Sequence, residues 1–257
     1  PLPIIPLAEQ QRIVAKLDAA FAEIDRAIEL CEEKEAQSKH LLQRALDDAF
    51  AFDAKTTSFD SIVKDKGTGL ERRANLQSAE KQYPYLKMNN ISSRNVLELS
   101  EFTAVDASDE EVAKYTLNEG DFLFNTRNSV ELVGKTAVVH GIEGWLFNNN
   151  ILRVRFIDEF DSDYINDFFC CSEGKSQLEK RKTGTTNVAA IYFKDLKTVE
   201  IPVANIELQK QIVSKIAKAR ALTVSLQQNY RAKAEQLRTL KSAILAQELQ
   251  PPQSEAA

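Results

Sequence analysis

Hydrophobic positions near both ends of the chain recur at an alternating spacing of three and four residues. In the first flank this spacing selects Leu17, Ala20, Ile24, Ala27, Cys31, Lys34, Ser38, Leu41 and Ala45. In the last flank it selects Ile216, Ala219, Thr223, Leu226, Tyr230, Lys233, Leu237, Leu240 and Ile244. Such spacing is typical of a heptad seam between paired helices. We therefore predict two long helices, over residues 1–50 and 201–250, paired through Leu17, Ile24, Leu41, Ile216, Leu226, Leu237, Leu240 and Ile244.

The distribution of glycine and proline supports both helices. Residues 7–66 and 203–250 contain neither residue type, whereas all eight glycines lie within residues 67–184. Stretches without these residues favour long helices, and glycine punctuation favours strands and turns. A helix of about 40 residues is about 60 Å long, and one with so narrow an apolar stripe requires a partner.

The two flanks are copies of one element. At a constant offset of 199 residues, Gln10 matches Gln209, and Leu41 matches Leu240. The offset needs no gap from one end of the flank to the other, and it preserves the helical phase of the seam. An internal repeat of this kind indicates two structurally equivalent helices.

Charge suggests which helix each copy pairs with. Residues 1–50 carry six Lys/Arg and ten Asp/Glu, whereas residues 201–257 carry eight Lys/Arg and four Asp/Glu. Opposite net charges favour pairing of the two helices with each other over pairing of either helix with itself. We therefore expect an antiparallel coiled-coil hairpin. The alternative is two unrelated amphipathic helices that pack on different surfaces.

The middle of the chain predicts one mixed α/β domain over residues 51–200. Seventeen of the twenty aromatic residues lie there, which is enough for a compact core. Residues 121–125, 135–140 and 151–156 are predicted strands, and residues 164–178 a short helix. The fold class is therefore α+β, with this domain flanked by the two long helices and followed by a disordered tail at residues 251–257.

Composition and motifs exclude several classes of protein. No apolar run reaches the length of about 18 residues that a membrane helix needs. Three cysteines and two histidines show neither a disulfide framework nor metal-ligand spacing, so we expect a cytoplasmic protein without a metal or cofactor. The glycine-rich phosphate loop, HExxH and GxSxG are absent, and we predict that the chain is not an enzyme. A net charge of −5 requires any nucleic-acid site to be a local cluster of basic residues.

Three polar segments of the middle domain suit nucleic-acid recognition, at residues 83–90, 125–129 and 180–187. Arginine can bridge the two major-groove acceptors of guanine, asparagine can pair with adenine, and a basic loop can clamp phosphates. We expect Arg127 to read a base and Lys182 to contact phosphate. A polar segment is often only a solvated turn, so this chemistry alone leaves DNA binding open. The candidate DNA-binding residues are Lys87, Asn89, Asn90, Asn125, Thr126, Arg127, Asn128, Ser129, Lys135, Lys180, Arg181, Lys182, Thr183, Thr185, Thr186 and Asn187.

Taken in order, several stretches resemble the specificity subunits of type I restriction–modification systems. The resemblance rests on the combination of the repeat with these stretches, and it covers nearly the whole chain. The matching stretches are residues 7–14, 85–91, 120–125, 131–137, 183–186, 201–203 and 207–213.

This resemblance implies a function that composition does not reveal. Such subunits carry two target recognition domains, each reading half of a split double-stranded DNA target, on a helical spacer that docks methyltransferase subunits. Restriction subunits join the full complex, and S-adenosylmethionine and ATP belong to the partner subunits. Because this chain has one recognition domain, we expect either the distal half of a full subunit or a half-sized subunit that forms a homodimer.

Two alternatives remain at this point. The chain could be a coiled-coil protein-interaction module that does not bind DNA. It could also be a piece of a fused methyltransferase–nuclease that uses the same kind of DNA reader, in which case the catalytic motifs would lie upstream in the parent protein.

Overall fold

The structure, a computed structural model, describes residues 6–184 and 188–248. The helices are α1 Leu7–Phe50, α2 Asp109–Tyr115, α3 Ser162–Cys170, α4 Ser172–Glu179, α5 Phe193–Leu196 and α6 Ile206–Glu248. The strands are β1 Thr56–Ser58, β2 Val63–Thr68, β3 Gln77–Ser78, β4 Tyr83–Leu86, β5 Thr103–Val105, β6 Phe122–Asn125, β7 Arg127–Asn128, β8 Thr136–Val138, β9 Leu146–Phe147, β10 Ile151–Phe156, β11 Thr183–Gly184, β12 Ala189–Ala190 and β13 Glu200–Pro202. Short 3-10 turns occupy Phe59–Ile62, Ala74–Leu76 and Met88–Asn90.

The chain divides into two compact units. Pro1–Leu42 and Lys218–Ala257 form the first, here named the hairpin unit, and Gln43–Ala217 form the second, the globular unit. Helices α1 and α6 therefore each contribute residues to both units. Of the domain boundaries expected at residues 50 and 201, the first is the last residue of α1 and the second lies within β13, whereas the units divide within the two long helices. The predicted tail at residues 251–257 lies outside the described residues.

Ion pairs within the hairpin unit confirm the antiparallel pairing of α1 and α6. The pairs run from Lys16–Glu248 at 2.5 Å through Asp25–Lys241, Glu32–Arg238 and Glu35–Arg231, each at 2.6 Å. Residue numbers rise along one helix as they fall along the other, which is the mark of an antiparallel pair. Three of the four place an acid of α1 against a base of α6, as the opposite charges of the two flanks predict. Pairs this exposed stabilise weakly and act mainly on pairing and orientation.

The seam of the hairpin follows the predicted heptad only in part. Leu17 and Ile24 are buried, and Leu226, Leu237 and Ile244 are half-buried. Ile216 is fully buried and belongs to the globular unit. The predictions for Leu41 and Leu240 were wrong, because these side chains are 54% and 48% exposed.

The physical reason is the drift of a 3.6-residue helix against a seven-residue repeat, about 20° per heptad. After several turns, an inward-facing position that would follow the previous one by three residues follows it by four residues instead. Leu42 and Lys241, one residue beyond the predicted leucines, accordingly take up the half-buried positions. The spacing changes at equivalent points of the 199-residue repeat in both helices, so the two helices remain equivalent.

The described residues of the globular unit form four small sheets. Their strand orders are β1-β13, β2-β10-β6-β8, β11-β12-β7 and β3-β5-β4-β9. The central sheet, β2-β10-β6-β8, is antiparallel throughout and contains the three strands predicted from the sequence. The only parallel pairing among the named strands of the described residues joins β4 to β9.

Aromatic side chains pack on one side of the central sheet. The Phe59 ring lies 5.6 Å from the Phe156 ring and 5.9 Å from the Phe169 ring, and Phe122 and Phe124 also contact Phe169. The predicted helix at residues 164–178 is two helices, α3 and α4, because Cys171 adopts an extended backbone and its Sγ accepts the Gly174 amide. Helix α4 then packs so closely on α3 that a side chain at Gly174 would clash with the Phe168 carbonyl.

Candidate nucleic-acid interface

Three short strands bring two of the predicted polar segments together. In the β11-β12-β7 sheet, Thr183 pairs with Ala190, and Ala190 pairs in turn with Arg127. Residues directly opposite one another in antiparallel strands project on the same side, with Cα atoms about 4.5–5.5 Å apart. Thr183, Ala190 and Arg127 therefore form one row across the sheet, although 56 residues of sequence separate Arg127 from Thr183.

The alternation of side chains gives this small sheet one buried and one exposed side. Ala189 and Ile191 are buried at 3% and 0% exposure, whereas Val188 and Tyr192 are 40% and 45% exposed. The Ile191 amide donates to the Thr126 carbonyl at 2.9 Å, which continues the pairing one residue beyond β12. We name the exposed side the outer face and define it by the exposed residues Arg127, Thr183, Val188 and Tyr192; Ala190 lies on the same side but is only 9% exposed.

A glycine makes the hairpin that presents this face. Gly184 has a φ of +152°, a conformation that side-chain-bearing residues rarely adopt, and a Cβ there would lie 2.1 Å from the Val188 carbonyl oxygen. Only glycine allows β11 and β12 to approach this closely. The same hairpin carries Thr183 on one strand and Val188 at the start of the other.

Three predicted side chains are free to contact a ligand. Arg127 and Lys180 are exposed, and within the described residues neither side chain makes a hydrogen bond or an ion pair. Asn89 is likewise exposed and without a side-chain hydrogen bond among those residues. An unpartnered guanidinium is the donor that a guanine edge or a phosphate requires.

Other predicted cations are held by the protein itself. Lys182 donates to the Val130 carbonyl at 2.8 Å and pairs with Glu179 at 2.6 Å, and its side chain is only 18% exposed. Arg181 donates to both the hydroxyl and the carbonyl of Thr198, at 3.1 and 2.6 Å. Both side chains therefore tie the residues before β11 to neighbouring segments of the globular unit.

Lys135 and Lys87 fix the loop that follows β4. The Lys135 ammonium donates to the carbonyls of Met88, at 3.3 Å, and of Ile91. Burial lowers the pKa of Lys135 below its ordinary value, although the ammonium donates to these two carbonyl oxygens. The Lys87 ammonium donates to the Gln77 side-chain oxygen at 3.1 Å.

Asn90 stabilises the same loop through hydrogen bonds of its side chain. Its amide nitrogen donates to the carbonyls of Glu98 and Glu101 at 3.0 and 2.8 Å, and its oxygen accepts the Lys87 amide at 2.9 Å. The residue is 2% exposed. These three bonds hold the chain after β4 to the residues that precede β5, so Asn90 has a structural role in the described conformation.

Residues 125–129 are mostly turned into the globular unit. Asn125 is fully buried, and its amide nitrogen reaches the Leu132 carbonyl at 3.4 Å while its oxygen has no partner among the described residues. The Thr126 hydroxyl donates to the Asn150 carbonyl at 2.8 Å. Arg127, the next residue, is exposed, and Asn128 and Ser129 after it are half-buried.

That pair, Asn128 and Ser129, forms a local turn. The Asn128 side-chain oxygen accepts the Ser129 amide at 2.8 Å, and the buried Ser129 hydroxyl has no hydrogen-bond partner among the described residues. The remaining predicted residues of the basic loop, Thr185, Thr186 and Asn187, lie outside the described residues.

Sequence reasoning missed two exposed residues of the outer face, Val188 and Tyr192. The sequence offered no alternation that could have found them, because residues 188–192 form a continuous apolar run. Lys66 of β2 was also missed; its ammonium lies 4.2 Å from the centre of the Phe193 ring.

His140 belongs to a separate charged cluster on the globular unit. Its Nδ1 lies 2.6 Å from Glu119 Oε1, and its Nε2 lies 3.0 Å from an Asp163 oxygen. Because both ring nitrogens face carboxylates, the doubly protonated imidazolium fits this arrangement best.

Metal sites and membrane helices were searched for in the same part of the chain. Across residues 6–184 and 188–248, no three His, Cys, Asp or Glu side chains are grouped so as to hold a metal ion. Within those ranges, no helix has both the length and the apolar character needed to cross a membrane.

Comparison with known proteins points to one family. The model of the type I restriction modification DNA specificity domain matches residues 60–236. The EcoKI specificity subunit of Escherichia coli K12 is 23% identical over 95% of this chain and 56% of its own length. The putative MjaX specificity subunit of Methanocaldococcus jannaschii is 31% identical over 51% of this chain and 31% of its own length. The chain therefore spans little more than half of the longer-matching relative.

Solved structures share the fold. One, described as the structural basis underlying complex assembly and conformational transition of the type I R-M system, has a TM-score of 0.77 at 21% identity, covering 97% of this chain and 61% of that one. The crystal structure of the HsdS subunit from Thermoanaerobacter tengcongensis has a TM-score of 0.60 at 21% identity, covering 96% and 60%. At this identity the likeness concerns the fold, a mixed α/β domain between two long helices.

Proposed function

The chain belongs to the family of type I restriction modification DNA specificity domains, and we propose that it reads one half of a bipartite DNA target for a type I restriction–modification complex. The observation that carries the proposal is the outer face. Arg127 lies there in register with Thr183 through Ala190, and its guanidinium is free of partners among the described residues. An exposed, unpartnered arginine on a short sheet provides the donors that a base edge in the major groove accepts.

We assign the phosphate contact to Lys180, a free cation close in sequence to the outer face. Lys180 precedes β11 by three residues and is exposed without a partner in the described chain, whereas Lys182 is held by Val130 and Glu179. We therefore move the phosphate contact from Lys182 to Lys180. A phosphate contact adds affinity for every sequence and makes binding depend on salt, whereas Arg127 adds discrimination.

The hairpin unit is proposed to dock methyltransferase subunits, with restriction subunits joining in the full complex. The supporting observation is a pair of exposed leucines, Leu41 and Leu240, which occupy equivalent positions of the 199-residue repeat. Two equivalent apolar positions suit a partner that binds in two copies. Leu41→Asp with Leu240→Asp should abolish co-purification of the methyltransferase, whereas unchanged co-purification would contradict the docking role.

In this proposal the chain contributes no catalytic step, and methylation and cleavage belong to the partner subunits. A single reader binds weakly, so a second reader is needed, either from the rest of a longer subunit or from a homodimer. Two linked readers raise the effective concentration of each half-site and bind a target only at the correct spacing.

A binding titration tests the proposal. The chain, alone and with its methyltransferase, is titrated against fluorescent duplexes containing the target found by methylome sequencing and against scrambled duplexes. We expect preference for the target, binding that weakens as salt rises, and nanomolar affinity only in the complex or the dimer. Absence of salt-sensitive DNA binding in every form would refute the proposal and favour a protein-interaction module.

A further inference from the structure

The outer face presents apolar side chains beside its free arginine. Val188 and Tyr192 are 40% and 45% exposed, and Ala190, which lies between Thr183 and Arg127 in the row across the strands, is 9% exposed. The Thr183 hydroxyl donates to the Ala190 carbonyl at 3.1 Å, so its hydrogen is already used and its methyl group remains for other contacts. Exposed apolar side chains gathered around one free arginine mark a contact surface that is partly apolar.

The major groove of DNA offers one apolar group, the C5 methyl of thymine. Alanine and the threonine methyl are side chains that contact it, while arginine bridges the O6 and N7 acceptors of guanine. Ala190 is small and lies beside Arg127, with Thr183 on its other side. The exposed Val188 side chain and the Thr183 methyl group can contact the methyl group of a base edge while Arg127 reaches base acceptors.

We propose that the outer face reads a thymine methyl group, contacted by Val188 and the Thr183 methyl, next to the base that Arg127 contacts. The inference rests on the proposed function and deepens it, since it names thymine as part of the half-site. Val188 and Thr183 are then specificity-determining residues, and a target written with uracil in place of that thymine binds less well.

The test replaces thymine by deoxyuridine, which removes only the methyl group. The chain in complex with its methyltransferase selects its preferred duplexes from a random pool. Each thymine of the selected half-site is then changed singly to deoxyuridine, and dissociation constants are measured by fluorescence anisotropy. At one thymine or more we expect binding to weaken about fourfold, the ratio for one buried methyl group.

A matched pair of variants assigns that loss to the outer face. Val188→Ala should remove most of the difference between thymine and deoxyuridine, while keeping the preference given by Arg127. Val203→Ala, at an equally exposed valine outside the outer face, should keep the difference. Equal thymine preference in both variants would overturn the inference.

The outcomes separate the two levels of the proposal. Selection without any sequence preference overturns the proposed function and the inference with it. Sequence preference that is indifferent to every thymine methyl, or a half-site without thymine, overturns the inference alone. Loss of methyltransferase binding in Val188→Ala, with DNA discrimination intact, would make this face a protein contact and also overturn it.

Discussion

Two regions of the globular unit carry similar polar residues and use them differently. On the outer face, Arg127 is exposed and unpartnered among the described residues. A second set of residues, here named the brace, comprises Asn90 and Lys135 at the loop after β4 and Arg181 and Lys182 before β11, whose donors bond to protein acceptors. All five are polar residues in segments of similar composition, and residue type alone did not separate the side chains held by the protein from the one that is free.

The difference shows that residue type alone does not make a binding residue. A donor engaged with a half-buried carbonyl can reach a ligand only by leaving that carbonyl unpaired, which costs about 1–3 kcal/mol. A free guanidinium meets no such cost. The brace therefore acts on stability and the outer face on recognition, and each of the following substitutions contrasts the two.

The largest expected effect is on a brace residue. Asn90→Ala removes three hydrogen bonds from a buried site, and we expect the free energy of unfolding to fall by about 3 kcal/mol, because two carbonyls and one amide lose their partner. Urea denaturation measures the loss. The neighbouring exposed residue is the control, since Asn89→Ala should change stability by less than about 0.5 kcal/mol. Equal losses of unfolding free energy in the two variants would contradict the structural role of Asn90.

The next effect falls on the outer face. Arg127→Ala should lower the preference for target over scrambled DNA by about 10- to 100-fold, because a two-point contact with a base contributes about 1–3 kcal/mol. Stability should stay unchanged. Arg73→Ala replaces another exposed arginine and should keep the preference. Competition binding with the two duplexes measures the ratio, and the same ratio in both variants would contradict base reading by Arg127.

Two lysines separated by one residue sharpen the contrast further. Lys182→Met should reduce stability by about 1 kcal/mol and leave the salt dependence of DNA binding unchanged, because its ammonium holds the Val130 carbonyl. Lys180→Met should leave stability unchanged and reduce the slope of log affinity against log salt by about one. Titrations at several salt concentrations, with urea unfolding alongside, measure both. The reverse pattern would return the phosphate contact to Lys182.

The smallest effect concerns His140, an exposed group that is nevertheless held by protein partners. Partial burial lowers its pKa, but the hydrogen bonds that the ring donates to the Glu119 and Asp163 carboxylates outweigh this and raise the pKa above its ordinary value. Stabilisation by this cluster is therefore complete below about pH 6.5, the ordinary histidine value, and is lost as pH rises through the folded pKa. NMR titration should give a raised pKa, and Glu119→Gln should lower it. An unchanged pKa in that variant would exclude this ion pair as the cause.

The hairpin illustrates what sequence periodicity can predict. The repeat and the opposite charges predicted an antiparallel pair, and the ion pair of Asp25 with Lys241 lies where that pairing requires it. The positions of Leu41 and Leu240 were wrong because a strict seven-residue count ignores the cumulative drift of the helix. The predicted strands at the centre of the globular unit were right, since each is a short apolar run bounded by turns.

Which polar residues are free could not be predicted. The role of Lys182 depends on the Val130 carbonyl, 52 residues away in sequence, and that of Lys135 on the Met88 carbonyl, 47 residues away. Such partners are fixed by tertiary contacts that composition does not reveal. The row of Thr183, Ala190 and Arg127 has the same origin, because pairing between distant strands creates it.

Site-specific crosslinking tests most directly whether the outer face reads DNA. Tyr192 on that face and Phe102 elsewhere on the globular unit are exposed aromatic residues, at 45% and 48%. Each is replaced singly by the photoreactive p-benzoylphenylalanine, and the complex with target duplex is irradiated. The account predicts a DNA crosslink from position 192 and none from position 102. A crosslink from position 102 alone, or none from position 192 when anisotropy shows the duplex bound, would contradict it.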